Sequence, residues 1–415
     1  MPASKDVLII GAGIGGLTLA LALAKRGIGA RLFEAAPELK PIGVGLNLLP
    51  HAVAELAALD LLALLAQRAV ITREAVFFNR FGQLIHREPA GQHAGHRQPQ
   101  LSLHRGDLQA VLLEAVAERL GRERINFGWR CTAALEAGEL TRAEFLDATG
   151  GRLPPQEGAI LVACDGIHSA IRRQLYAAEG EPVYSGVNMW RGVTRQAPFL
   201  TGASMVRAGW LTTGKMVIYP IRRYADGSQL VNWVAELETP HYRRWDWTRP
   251  GRLEDFIAAF ADWHFDWLDV PALIRGAESI LEFPMVDRDP LPRWSFGRLT
   301  LLGDAAHPML PRGSNGAVQA ILDARALADR LAEDDDWVRA LANYDQTRRV
   351  ATTAVVLANR SHPPDAILRE IYLRTGDRPF GKIDDVISAT ELGQISERYK
   401  RISGYARGQG TVAEA

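Results

Sequence analysis

The chain opens on an apolar stretch, Val7 to Ala24, that contains no charged residue and follows Lys5. Such a pattern imitates a signal peptide or a membrane span. Gly11, Gly13, Gly15 and Gly16 interrupt it, however, and these residues weaken a spanning helix but have positional roles in a strand–turn–helix unit. Asp6 to Ile10 then reads as a buried parallel strand, Leu17 to Arg26 as a helix stopped by Gly27, and Ala30 to Glu34 as the next strand. Together they form one βαβ unit.

Farther on, Leu108, Leu112, Val116 and Leu120 recur every fourth position, which predicts an amphipathic helix capped by Asp107 and ended by Gly121. Ala159 to Cys164 and Leu299 to Leu302 are short apolar runs leading into Asp-containing turns, the pattern of buried strands with ligand loops at their ends. Between them the texture changes. Gly186 to Val193, Lys215 to Tyr219 and Gln229 to Leu237 are aromatic and β-branched, which predicts a mostly β insert. Trp190, Trp210, Trp233, Trp245, Trp247, Trp263 and Trp267 fall in or just after it, either as walls for a flat ligand or as ordinary core residues. From Ala317 onward the pattern is helical, and the acidic run Glu333 to Asp336 reads as a solvated helix end.

A chain of 415 residues exceeds what one hydrophobic core usually serves, which favours two joined domains. Lys and Arg number 48 and balance 48 Asp and Glu, so no global field draws the protein to nucleic acid or an anionic membrane, and a small-molecule partner is favoured. Cys131 and Cys164 are the only cysteines and sit in apolar surroundings, as expected for a reducing cytoplasm rather than a disulfide framework. His86, His93, His96 and His104 cluster in a Gly- and Gln-rich stretch, but no Cys or carboxylate spacing completes a metal site, so no metal is expected.

The run Gly11-Ala12-Gly13-Ile14-Gly15-Gly16 follows a strand and opens a helix. Bare backbone there can approach a pyrophosphate, and the helix N-terminus stabilises its charge. Glu34, at the end of the second strand, is placed to accept hydrogen bonds from the ribose hydroxyls of an adenosine and to repel a 2′-phosphate. These features alone leave FAD and NAD both open.

Two later motifs decide between them by resemblance. Cys164-Asp165-Gly166-Ile167-His168-Ser169 and Gly303-Asp304-Ala305-Ala306-His307-Pro308 are similar to the remaining fingerprints of flavoprotein hydroxylases, and from Val7 to Arg360 the chain resembles the single-component (group A) FAD-dependent aromatic hydroxylases. Met189-Trp190-Arg191-Gly192-Val193, Leu230 to Val234 and Phe283 to Pro290 look like the phenazine-carboxylate monooxygenases within that group. Leu310 and Arg312, flanking Pro311, depart from that subgroup, and the tail from Ser361 to Ala415 shows no such likeness. Trp245-Asp246-Trp247 is similar to the Trp-x-Trp element of flavin halogenases, but Thr248-Arg249 replaces the apolar residue and proline that would follow.

The resemblance implies an α/β fold: a Rossmann-like FAD-binding domain of the p-hydroxybenzoate hydroxylase type over 1–180 plus 284–360, an inserted β-rich substrate domain over 181–283, and a helical extension over 361–415. It implies that Gly11, Gly13, Gly15, Gly16 and Glu34 hold the ADP half of FAD. Arg105 would meet its phosphate or ribitol region, and the backbone at Cys131 its adenine. Asp165 would serve the pyrophosphate and nicotinamide, Asp304 the ribityl chain, and the turn Gly313-Ser314-Asn315-Gly316 the flavin pyrimidine. Arg191, Tyr219 and Pro311 would stand at the flavin–substrate junction. The implied reaction uses NADH or NADPH and O2 to hydroxylate a small aromatic or N-heteroaromatic ring through a flavin hydroperoxide, in a cytoplasmic monomer or homodimer. A flavin reductase or dehydrogenase without oxygen insertion, and a nucleotide-binding protein without turnover, remain as alternatives.

Overall fold

In a computed structural model that describes residues 6–39, 44–240 and 250–406, the strand Val7–Ile10 is buried along its whole length inside a six-stranded sheet. The order is Ser295–Phe296, Leu299–Leu301, Ile160–Ala163, Val7–Ile10, Ala30–Glu34, Ile125–Phe127, and every neighbouring pair except the first is parallel. Parallel strands are covered on both faces, which is why these runs are almost wholly apolar. Helices Ile14–Ala24, Arg105–Leu120 and Asn315–Glu333 contribute to the apolar core that covers them. The helix Arg105–Leu120 begins earlier than its spacing predicts. His104 caps it, with Nδ1 accepting from the Gly106 amide at 3.1 Å, while Asp107 lies in the first turn and pairs with Arg222 at 2.5 Å.

A second, seven-stranded sheet runs Ile280–Asp287, Val183–Gln196, Gln229–Glu238, Gly214–Arg223, Ser204–Trp210, Glu74–Phe78, Leu84–Pro89. The three runs recognised as β in sequence lie side by side within it. Glu74–Phe78 and Leu84–Pro89 join from far upstream, the former pairing in parallel with Ser204–Trp210. Alternation along Val183–Gln196 divides its residues between two faces. Trp190 turns to one, where it stacks on Phe256 (4.9 Å between centroids) in a cluster that also buries Trp233, Phe260 and Trp263. Met189 and Arg191 turn to the other. The tryptophans at 190, 233 and 263 are thus core residues, not ligand walls; Trp245 and Trp247 lie outside the described residues.

The acidic run does two jobs. Glu333 ends the helix Asn315–Glu333, and Asp336 caps Trp337–Ser361 by accepting from the amides of Val338 (3.1 Å) and Arg339 (3.2 Å). Beyond it, Ala366–Thr375 and Ala389–Ile402 fold back on the edge of the larger sheet, burying Ile367, Leu368, Ile371 and Leu392 against Ala75, Phe77 and Ile85. Among the described residues no helix is long and apolar enough to cross a membrane.

The last helix is pinned by Glu88, which takes hydrogen bonds from Ser396 Oγ (2.6 Å) and Lys400 Nζ (2.9 Å), with His86 3.8 Å away. Burial alone would raise this carboxyl, but His86, Lys400 and Ser396 more than reverse it and bring its pKa to about 2. Its contribution, about 3 kcal/mol, is therefore complete above the ordinary value near 4.5 and fades as pH falls from there toward 2. Hydrogen exchange should show Ala389–Ile402 losing protection before the six-stranded sheet between pH 5 and 3, and Glu88→Gln should remove that pH dependence.

Candidate active site

The carboxyl ends of the central strands meet at one edge and are stitched together there. The Gly11 amide donates to Phe33 O (2.7 Å), Cys164 N to Ile10 O (2.7 Å), and Leu302 N to Ala163 O (2.9 Å). The turns after the strands are in consequence nearly in contact. A Cβ at Gly11, whose φ is +102°, would lie 2.5 Å from the Cys164 carbonyl oxygen, and one at Gly16 only 2.0 Å from the Gly11 oxygen. Glu34 locks the arrangement, its carboxylate accepting from Ala12 N (2.8 Å) and from Ala36 N (2.9 Å).

Below this edge lies a cavity of about 460 Å³. It is lined by Gly13 and Gly15 of the first turn, Cys164 and Gly166 of the second, Gly303 and Asp304 of the third, and Pro311, Ser314, Asn315 and Gly316 of the fourth. The opposite wall is the larger sheet, with Met189, Arg191 and Tyr219. A Cβ at Gly13, Gly166 or Gly316 would meet no protein atom within 4 Å, so bare backbone faces open space at three points. Helices Ile14–Ala24 and Asn315–Glu333 both begin here without a side-chain cap, leaving first-turn amides for an anionic or electron-rich ligand. A dinucleotide carrying a pyrophosphate and a flat ring fits that chemistry.

The charges around the cavity are unequally matched. Asp304 lines this cavity; desolvation by the surrounding protein pushes its carboxyl above the ordinary value, while His307 and Arg105 pull it back. His307 itself is turned to Asp323, at 2.5 Å from Nε2 to Oδ2, and Arg348 Nε reaches the other oxygen at 2.7 Å. Burial would raise Asp323, yet these two neighbours hold it below the ordinary carboxylate range. On the sheet wall Lys215 lies 2.9 Å from Glu236 and 2.5 Å from Asp365, and Arg207 lies 3.0 Å from Asp365, a buried set of two cations and two anions.

Arg191 has no such balance. Its Nη2 donates to Gly45 O (3.0 Å), its Nε is buried without a partner, and no carboxylate of the described residues is paired with it. Burial pulls its pKa down and Arg105 adds to this, with Tyr219 and the Glu236 carboxylate opposing. Tyr219 is raised by burial, partly countered by Arg191, and also meets Asn47. Asn47 continues inward, accepting from Ser102 Oγ at 2.5 Å, which contacts Thr72 Oγ1 at 2.7 Å.

Of the residues named from sequence, Gly13, Gly15, Arg105, Arg191, Tyr219, Asp304, Pro311, Asn315 and Gly316 come together on this cavity. Gly11, Gly16 and Glu34 build the turn behind it. Asp165 lies beside Gly11, one oxygen accepting from Ala170 N (2.9 Å) and the other buried without a partner. Gly313 faces an adjoining space of about 70 Å³ that shares Arg191, Tyr219 and Pro311 with the main cavity. Cys131 is in the strand Arg130–Ala137, its thiol donating to Ala133 O (3.6 Å) and pushed up to about 12 by burial and by Asp165. Asn47, Asp323, Arg348 and the Lys215 set went unnoticed. The one available signal was the occurrence of Arg207 and Lys215 in otherwise apolar strands.

A family model described as "FAD binding domain" matches residues 4–358. The chain is 41% identical over 404 residues to a phenazine 1,6-dicarboxylic acid hydroxylase of Lysobacter antibioticus, covering 96% of this chain and 97% of that one. It is 35% identical to a 3-amino-4-hydroxybenzoate 2-monooxygenase of Streptomyces platensis, covering 90% and 93%. The crystal structure of Klebsiella pneumoniae HpxO with FAD and uric acid superposes with a TM-score of 0.71 at 22% identity, covering 97% of this chain and 93% of that chain, which establishes likeness of fold.

Asp323 has no exposed surface and holds two basic side chains behind the cavity. Asp323→Asn should therefore lower stability by roughly 3–5 kcal/mol, the range for breaking one side of a buried ion pair, as read from guanidinium denaturation curves.

Proposed function

The chain belongs to the FAD-binding-domain family of aromatic-ring monooxygenases, and from that membership we propose that it uses NADH or NADPH and O2 to hydroxylate a small aromatic or N-heteroaromatic carboxylic acid. In this reading the turn built by Gly11, Gly13, Gly15, Gly16 and Glu34 holds the ADP half of FAD, Arg105 meets its phosphate or ribitol region, the backbone of the Asp165–Gly166 turn serves the pyrophosphate and nicotinamide, and Asp304 takes the ribityl hydroxyls. The amides opening the helix Asn315–Glu333 face the electron-rich pyrimidine edge. Bound FAD supplies the redox chemistry, taking reducing equivalents from the nicotinamide and activating dioxygen. Residues 1–180 with 284–360 carry the cofactor and 181–283 the substrate wall, with 74–89 extending its sheet.

The observation that carries the proposal is Arg191. A cation at a cavity wall with no carboxylate of its own is completed by an anionic ligand, and a substrate carboxylate matches its fork geometry. Tyr219 fixes the guanidinium from one side and Gly45 O from another, so the ring is oriented as well as held. Met189, Phe283, Pro284, Val286 and Met309 add an apolar portion to the lining, which helps to exclude water from the reacting face.

Two measurements test this. With a panel of aromatic and N-heteroaromatic acids, labelled dioxygen should appear in the product alongside stimulated NAD(P)H oxidation; oxidation without label would leave the dehydrogenase reading instead. Arg191→Met should raise KM for carboxylated rings about 10- to 100-fold, the loss of a charge-assisted hydrogen bond, with little effect on the same ring lacking the carboxylate.

A further inference from the structure

The turn that opens the helix Asn315–Glu333 is strained. Gly313 has φ +71° and Ser314 φ +61°, so two successive residues are left-handed and the second has a side chain. Such a turn persists only where its surroundings hold it. Those surroundings include Tyr399, on the helix Ala389–Ile402 some 85 residues downstream. Its hydroxyl is buried, donates to Asn359 Oδ1 (2.6 Å), accepts from Asn315 Nδ2 (2.7 Å) and stands 3.3 Å from the Arg312 carbonyl. Asn359 in turn donates to Leu310 O (3.1 Å), and Asn315 to Gly313 O (3.1 Å), so one hydroxyl ties both ends of the segment 310–315. It also closes the space over Gly313, where a Cβ would lie 1.9 Å from the Tyr399 oxygen.

We propose that Tyr399 is a positioning residue for the cofactor: by fixing the 310–316 turn it sets where the first amides of the helix Asn315–Glu333 meet the flavin. Pro311, Ser314, Asn315 and Gly316 all line the main cavity, whereas Tyr399 does not. Its effect on the ligand passes through the turn. The inference rests on the flavin reading above and gives the C-terminal helix a role in it that its distance in sequence conceals.

The test compares Tyr399→Phe with Ser403→Ala in the purified full chain. Ser403 Oγ donates to Tyr399 O (2.8 Å) on the same helix, is buried, and does not touch the turn. Tyr399→Phe is expected to weaken FAD binding about tenfold, measured by flavin fluorescence, and to make the bound flavin's reduction potential more negative. Ser403→Ala should lower Tm comparably with FAD affinity and potential unchanged. If Tyr399→Phe is not recovered folded, Asn359→Ser, which removes the hydroxyl's acceptor, is read in the same way. FAD affinity within twofold of wild type and an unchanged potential would overturn the inference, as would equal weakening by Ser403→Ala. A wild-type chain that takes up no FAD would instead overturn the flavin reading on which it stands.

Discussion

Backbone meets backbone where the strands Val7–Ile10 and Ile160–Ala163 end, and no side chain fits between them. Gly11 presses on the Cys164 carbonyl, and Gly16 on Gly11, at distances a Cβ cannot share. This contact brings the glycine turn, the Cys164–Gly166 turn and, through the neighbouring strand Leu299–Leu301, the Gly303–Asp304 turn to a single edge. The cavity is what remains beneath that edge once the second sheet closes the other side. Two uncapped helix ends open onto it, and Gly13, Gly166 and Gly316 leave open space there rather than filling it.

Charge is distributed around the cavity with a consistent logic. Behind it, Asp323 is satisfied by His307 and Arg348, and on the sheet wall Lys215, Arg207, Glu236 and Asp365 neutralise one another. Buried charge of that kind shapes the walls without attracting an ion. Arg191 has no carboxylate paired with it among the described residues, and it faces the interior space. The proposed role of Arg191 toward an anionic substrate group rests on this contrast with the paired set around Asp365.

The C-terminal helices contribute more than cover. Asp365, which begins Ala366–Thr375, completes the paired set on the sheet, and Tyr399 holds the strained turn at Gly313 and Ser314. Both act on the cavity from a part of the chain that carries no motif.

Elements whose reason is local are legible along the chain. The strand Ala30–Glu34 is legible to the residue, and the largely apolar runs around Ile9, Val162 and Thr300 are legible as strands, because a strand covered on both faces carries few polar positions. The three motif turns pointed to the flavin hydroxylases because each must carry glycine or aspartate at fixed offsets from a strand end, and the family comparison confirms that resemblance. Which residues face one another is set by the packing of distant segments. The pairing of Ser204–Trp210 with Glu74–Phe78, the turning of Trp190 into the core while Arg191 faces the cavity, and the meeting of Asp323 with Arg348 or Tyr399 with Asn315 join positions with no shared period. A hydrogen bond or ion pair between distant segments leaves no spacing to read; it is set by how the two sheets and the last helices close on each other, which local pattern does not encode.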